Sequence, residues 1–178
     1  MSKIIAISGK RGSGKSLLAY HLTQLGYVKA SLAAELKVRC IEDFGLTFDQ
    51  INGTFKESPT QYIKANGRPY TPRDIMIEMG KFYRSVDPLF WCRRVDLEEL
   101  AVIDDIRFMN ELEYFKGLGT VFVRLERDPK LNIFKTELDD PSETELDTFK
   151  EWNFILPATQ NRTSDDLKKF ARLIHESV

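Results

Sequence analysis

Residues Gly9-Lys10-Arg11-Gly12-Ser13-Gly14-Lys15-Ser16 fill every fixed position of the phosphate-binding pattern G-x-x-x-x-G-K-[ST]. That spacing suits capture of a nucleotide phosphate chain. Gly9, Gly12 and Gly14 lack a Cβ, so the backbone can turn successive N–H groups onto one set of phosphate oxygens. Lys15 is placed to reach the β- and γ-phosphates, and the Ser16 hydroxyl to hold a Mg2+ ion bridging them. Lys10 and Arg11 add positive charge inside the same loop.

The flanking segments supply what such a loop needs. Ile4-Ile5-Ala6-Ile7 is a short apolar run suited to a buried strand, and Leu17-Leu18-Ala19-Tyr20-His21-Leu22 suits a helix whose positive dipole end meets the phosphates. Tyr27 to Ala30 reads as a second strand, and Ser31 as the cap of a helix that runs to about Asp43 and carries Lys37. Residues 45 to 72, rich in Gly, Asn, Pro, Thr and Ser, read as an excursion without regular structure. Thr71-Pro72 opens a helix with Ile75, Met76, Met79 and Phe82 on its core face, and Pro88 opens another through Trp91 and Val95.

Leu100-Ala101-Val102-Ile103 reads as a buried strand ending in Asp104-Asp105. Carboxylates at that end of a strand stand where open α/β sheets bind ligands, and there they position Mg2+ or its water shell; the alternative is a cap for the next helix. Asn110 to Lys116 is a further helix ending at Gly117, followed by a strand at Thr120 to Leu125. Residues 126 to 150 begin with Arg127, Lys130 and Lys135, turn acidic from Asp139 onward, and read as a lid or a solvated helical hairpin. Phe154-Ile155-Leu156 is the last strand, and Ser164 starts a closing helix with Leu167, Phe170, Ala171 and Ile174 inward. The alternation predicts an α/β fold: three layers, about five parallel strands flanked by helices.

Composition narrows the partners. The 178 residues suit a single domain; 26 Lys+Arg against 27 Asp+Glu give a net charge of -1, which makes no global case for nucleic acid or a membrane surface. Cys40 and Cys92, far apart in sequence, read as two reduced thiols of a cytoplasmic protein. No stretch reaches the length of a membrane span, and the N-terminal apolar run leads into the loop and does not read as a signal peptide.

Several stretches together resemble the deoxynucleoside monophosphate kinases of bacteriophages, a branch of the P-loop nucleoside monophosphate kinase fold. Thr71-Pro72-Arg73, Met79-Gly80, Arg84, Asp87-Pro88 and Trp91 are similar to the family's T-P-R, L-G-T, R and D-P-x-x-W run, and Asp105-Ile106-Arg107-Phe108-Met109-Asn110-Glu111 to its D-x-R-F-x-N-E segment. With the phosphate loop, Asp140-Pro141-Ser142-Glu143 and the last strand, the likeness spans nearly the whole chain. It implies ATP as donor, Mg2+ as cofactor and a deoxynucleoside monophosphate as acceptor, in the host cytoplasm if phage-encoded, with a homodimer left open. It also implies an acceptor-binding region over 31–99 and a lid over 126–150. Arg73, Arg84 and Arg107 match motif positions, and planar guanidiniums suit bidentate capture of an acceptor phosphate.

On this reading Lys15, Arg73, Arg107 and Arg127 act on the transferring group, while Lys37, Arg73, Arg84, Trp91, Asp105 and Arg107 contact the acceptor. Ser16, Asp104 and Asp105 serve the metal. Ile77 stands where the family commonly has glutamine, so a base contact there is missing or comes from another residue. Arg127 is the lid's one arginine, where related lids bear several. A dephospho-coenzyme A kinase or another small-metabolite kinase would share loop and fold. A nucleotide-binding regulator without transfer is the rival of another class; Asn161-Arg162-Thr163-Ser164 does not supply the N-K-x-D segment of guanine-specific switches.

Overall fold

The structure, a computed structural model, describes residues 3–127, 141–159 and 162–178. In chain order its first elements are β1 (Lys3–Gly9), α1 (Lys15–Thr23), β2 (Val28–Ala30), α2 (Ala33–Phe44), α3 (Phe48–Asn52) and α4 (Pro72–Val86). There follow β3 (Leu100–Ile103), α5 (Met109–Lys116), β4 (Val121–Leu125), the single turn α6 (Pro141–Thr144), β5 (Phe154–Leu156) and α7 (Ser164–Ser177). They fall into two compact units: Met1–Ser31 with Asp96–Val178, and Leu32–Val95.

The first unit is a five-stranded sheet of order β2-β3-β1-β4-β5 in which every neighbouring pair is parallel. A parallel sheet is covered on both faces, so the continuous apolar runs of β1 and β3 are what its centre requires. From β1 the chain moves one way along the sheet to β2, and from β3 it moves the other way to β4. Right-handed crossovers then put α1 and α5 on opposite faces. On one face Ile5, Ile7, Val102, Val123 and Leu125 pack with Leu18 and Leu22 of α1 and Leu167, Phe170, Ala171 and Ile174 of α7. Each of the Ile, Val and Leu side chains among these, removed from water, contributes roughly 1.5–3 kcal/mol. On the other face Phe122 packs against Phe149, and Phe149 against Trp152.

Sheet register brings the chemistry to one edge. Gly9 pairs with Leu125 and Ala6 with Ile103, so the loop after β1, the end of β4 and Asp104-Asp105 leave the sheet on the same side.

The second unit is helical, with Cys40, Leu46, Ile51 and Ile75 at its centre and Leu36, Phe44, Tyr62, Tyr70, Met76 and Met79 around them. Thr71 caps α4 through a reciprocal pair: its hydroxyl accepts from Asp74 N–H at 3.1 Å, and its own N–H donates to Asp74 at 2.9 Å. Cys40 and Cys92 are buried free thiols, and burial pushes Cys40 up to about 11.

Four local expectations are corrected. Ser31 does not cap α2; Leu32 occupies that position, because the Ser31 hydroxyl donates to Asp105 at 2.7 Å. Residues 45 to 72 contain α3 and a 3-10 turn at Thr54–Glu57, since Thr47 and Gln50 form a capping box that lets Ile51 enter the core. Pro88 opens no helix: Asp87 accepts the Leu89 N–H at 3.0 Å and pairs with Arg93, closing a turn before a single 3-10 turn at Cys92–Arg94. Phe82 is 62% exposed, because in the last turn of α4 the packed side chain is Tyr83, against Phe90 and Trp91.

Candidate active site

The loop from Gly9 to Ser16 is held open by backbone that side chains would not tolerate. At Gly9 φ is +156°, and a Cβ would lie 2.5 Å from the Leu125 carbonyl oxygen; at Gly14 φ is +96°, where it would meet Leu167 at 3.1 Å. Ser13 N–H donates to the Lys10 carbonyl at 3.1 Å, and the Gly14 carbonyl accepts from Leu17 and Leu18 at 3.1 and 2.9 Å, starting α1. Lys15 folds over the loop, donating to the carbonyls of Gly9 and, at 2.9 Å, Lys10. Its pKa is lowered to about 8, first by burial and then by the Arg107 charge, against the opposing pull of Glu143 and Asp104.

An acidic segment faces this loop. The Glu143 carboxylate, 12% exposed, accepts the Arg11 N–H at 2.8 Å with one oxygen and the Arg107 guanidinium at 3.0 Å with the other. Asp147 pairs with Lys10 at 2.9 Å and with Arg124, which also donates to the Ser8 hydroxyl at 3.1 Å. Glu145 accepts the Met109 N–H at 2.7 Å. A carboxylate clasped by a loop N–H and an arginine occupies a position suited to a phosphate oxygen.

Arg107 owes its place to Glu111. That side chain, 4% exposed, accepts the N–H groups of Arg107 and Phe108 at 2.7 and 3.1 Å, capping α5 and fixing the backbone from which Arg107 leaves. Arg127 donates to the Arg11 carbonyl. Arg162 donates to the Ser13 carbonyl at 2.8 Å and, with its other terminal nitrogen, to the carbonyls of Glu126, Leu156 and Pro157 at 2.8, 3.3 and 2.6 Å.

Of the predicted metal residues, Ser16 is exposed in the first turn of α1, Asp104 is 7% exposed and pairs with Lys29 at 2.8 Å, and Asp105 holds Ser31. Among the described residues no group of three or more His, Cys, Asp or Glu could hold a metal ion. A hydroxyl and two carboxylates at one sheet edge fit Mg2+ arriving on a nucleotide, since Mg2+ keeps several waters and takes one or two protein carboxylates plus substrate phosphates.

Lys37, Arg73, Arg84 and Trp91 belong to the second unit. Lys37 is half-buried on α2. Arg73, in the first turn of α4, pairs with Glu57. Arg84 lies over Gly80, where a Cβ would stand 3.4 Å from both terminal guanidinium nitrogens. Trp91 is 4% exposed and donates to the Gly80 carbonyl at 3.4 Å, so inside this unit it packs. The expected lid lies largely outside the described residues, including Lys130, Lys135, Asp139 and Asp140.

Sequence reasoning assigned no role to Glu111, Arg124, Glu143 or Arg162. Glu111 had a usable signal, a carboxylate three residues after a chain entry into a helix. The other three act across more than a hundred residues, through Arg11, Ser8 and Ser13.

The parallel five-stranded sheet with this loop on its central strand defines a P-loop kinase fold. No protein-family model matches the chain. It is 29% identical to a protein of Acanthamoeba polyphaga mimivirus named "Putative deoxynucleotide monophosphate kinase", over 92% of this chain and 91% of that one. Among solved structures, TT1252 from Thermus thermophilus superposes with a TM-score of 0.55 at 19% identity, covering 99% of this chain and 98% of that chain. A shikimate kinase from Acinetobacter baumannii gives 0.47 at 16% identity, covering 99% and 94%, a looser likeness that does not bear on substrate. Among the described residues no helix is long and apolar enough to cross a membrane.

Proposed function

We propose that this chain transfers the γ-phosphoryl group of ATP to the phosphate of a deoxynucleoside monophosphate, giving ADP and the deoxynucleoside diphosphate. The observation that carries the reading is the anion cradle, in which a loop N–H and the Arg107 guanidinium clasp a carboxylate close to Lys15. A site that binds an internal carboxylate this way is built to bind phosphate oxygens once that carboxylate is displaced. The name of the mimivirus relative and the T-P-R and R-F-x-N-E segments support a nucleotide as the acceptor.

In the transfer an acceptor phosphate oxygen forms a bond to the γ-phosphorus as the bond from that phosphorus to the β–γ bridging oxygen breaks, and ADP leaves with the electron pair. The transition state is loose, so positioning and neutralisation of charge supply most of the acceleration. Lys15 and the loop N–H groups hold the β- and γ-phosphates, Arg107 and Arg127 balance charge on the moving group, and Arg73 and Arg84 with Lys37 hold the acceptor. Ser16 with Asp104 or Asp105 would hold Mg2+, which would supply neutralisation of the phosphate charge. A cytoplasmic site of action goes with these substrates.

A coupled assay of ADP release tests the proposal against a panel of deoxynucleoside monophosphates, ribonucleoside monophosphates and dephospho-coenzyme A. The expected result is release that depends on a deoxynucleoside monophosphate. Release indifferent to every acceptor, or stimulated by dephospho-coenzyme A alone, would refute it.

A further inference from the structure

Arg162 gathers carbonyls from three separate stretches: Ser13 in the phosphate loop, Glu126 just beyond β4, and Leu156 and Pro157 at the end of β5. We propose that Arg162 is a positioning residue of the phosphate loop, which aims loop N–H groups at the nucleotide by holding the loop's carbonyls from behind; the inference rests on the donor-nucleotide reading above.

The physical step is the planarity of the peptide. In a trans unit the C=O and the following N–H point in opposite directions, and the described residues contain no cis peptide bond. A cation that draws the Ser13 carbonyl toward itself therefore turns the Gly14 N–H the other way, and polarises it into a stronger donor. The same loop shows this geometry at work. Lys15 binds the Lys10 carbonyl, and the N–H of the same peptide unit, that of Arg11, donates to Glu143. Arg127 binds the Arg11 carbonyl and so orients the Gly12 N–H.

Arg162 completes the set at Gly14 and also fixes Glu126, the residue before Arg127. A planar guanidinium with forked donors reaches all three stretches at once; an ammonium is a point charge on a flexible stem and does not. A plain staple of strand ends would need only the contacts beyond β4 and β5. The bond to Ser13 is the one that a staple leaves unexplained.

The experiment compares wild type, Arg162→Gln, Arg162→Lys and the exposed control Arg172→Gln. Titration calorimetry with MgADP is run beside thermal unfolding and the 1H–15N shift of the Gly14 amide. Losing the charge-assisted bond in Arg162→Gln should raise the Kd for MgADP on the order of 10- to 100-fold, move the Gly14 amide signal, and leave the acceptor KM unchanged. Arg162→Lys should recover part of the affinity, and Arg172→Gln should bind as wild type. A folded Arg162→Gln that binds MgADP within about twofold of wild type overturns the inference. If that variant does not fold, Arg162→Lys is judged by the same criterion. Wild type that binds no adenine nucleotide overturns the donor reading and the inference together. Wild type that binds MgADP but transfers to no monophosphate overturns the kinase reading alone.

Discussion

Lys15 titrates near pH 8 in the free protein, because burial and the Arg107 charge oppose its ammonium form. A bound phosphate chain reverses that balance, so Lys15 returns toward its ordinary value of 10.5 and takes up a proton as the nucleotide binds. With a free-state pKa of about 8, uptake is ~0.1 proton at pH 7 and ~0.9 at pH 9. Affinity falls accordingly, by about tenfold between pH 7 and pH 9, or roughly 1.4 kcal/mol. The linkage to folding runs in the opposite direction. A lysine whose folded pKa is depressed burdens the fold below that pKa, and the burden is relieved as pH rises from about 8 toward 10.5, so the free protein gains stability where nucleotide affinity is lost. Calorimetry with MgADP in buffers of different ionisation enthalpy reads the proton directly, and at pH 9 the ligand's phosphates are already ionised. Lys15→Arg, charged at every pH tested, should abolish the uptake. Uptake absent at pH 9, or unchanged in Lys15→Arg, would refute the reasoning.

Glu143→Gln removes the charge that competes for the Arg11 N–H and Arg107, and MgADP should bind about 3- to 10-fold tighter by calorimetry; weaker binding would show that Glu143 is not displaced. Glu111→Ala leaves the N–H groups of Arg107 and Phe108 without their acceptor and should cost about 2–4 kcal/mol in urea unfolding, with a loss under about 0.5 kcal/mol counting against the cap. Arg73→Ala should raise the acceptor KM and leave the KM for ATP unchanged in steady-state kinetics; an equal rise in both would remove Arg73 from the acceptor role.

The sheet was legible because its signals are local. Ile4 to Ile7, Leu100 to Ile103 and Val121 to Val123 are apolar runs that suit strands, and the alternation with helices leaves a parallel sheet as the economical topology. The α4 entry was legible for the same reason, since Thr71, Pro72 and Asp74 stand within one turn. The Thr47 and Gln50 box of α3 carried an equal signal, which the glycine- and proline-rich composition around it obscured. Composition also misplaced Pro88, because a proline that can open a helix can equally follow an aspartate that closes a turn on itself. In the candidate site, the loop pattern singled out the loop's own residues but not the distant groups that hold the loop. Glu143 meets Arg11 across 132 residues, and Arg162 meets Ser13 across 149; no spacing rule reaches that far.

Those long-range pairs bear on how binding responds to salt. The loop's neighbourhood is rich in cations, among them Lys10, Lys15, Arg107 and Arg124, yet the chain as a whole carries a net charge of -1. The cations are partly neutralised from within, since Asp147 holds Lys10 and Arg124 while Glu143 holds Arg107. On the proposed reading, nucleotide binding at this loop exchanges one anion for another, and salt weakens the bonds on both sides of the exchange. At about 0.5 M NaCl against about 0.05 M, shielding shortens the reach of exposed charges to several ångströms. The expected loss of MgADP affinity in wild type is therefore small, within about threefold. In Glu143→Gln one side of the exchange is gone, and the same salt change should cost several times more. Equal salt dependence in the two proteins would mean that the Glu143 carboxylate stays in place when the nucleotide binds, and that the cradle it occupies is not the phosphate site.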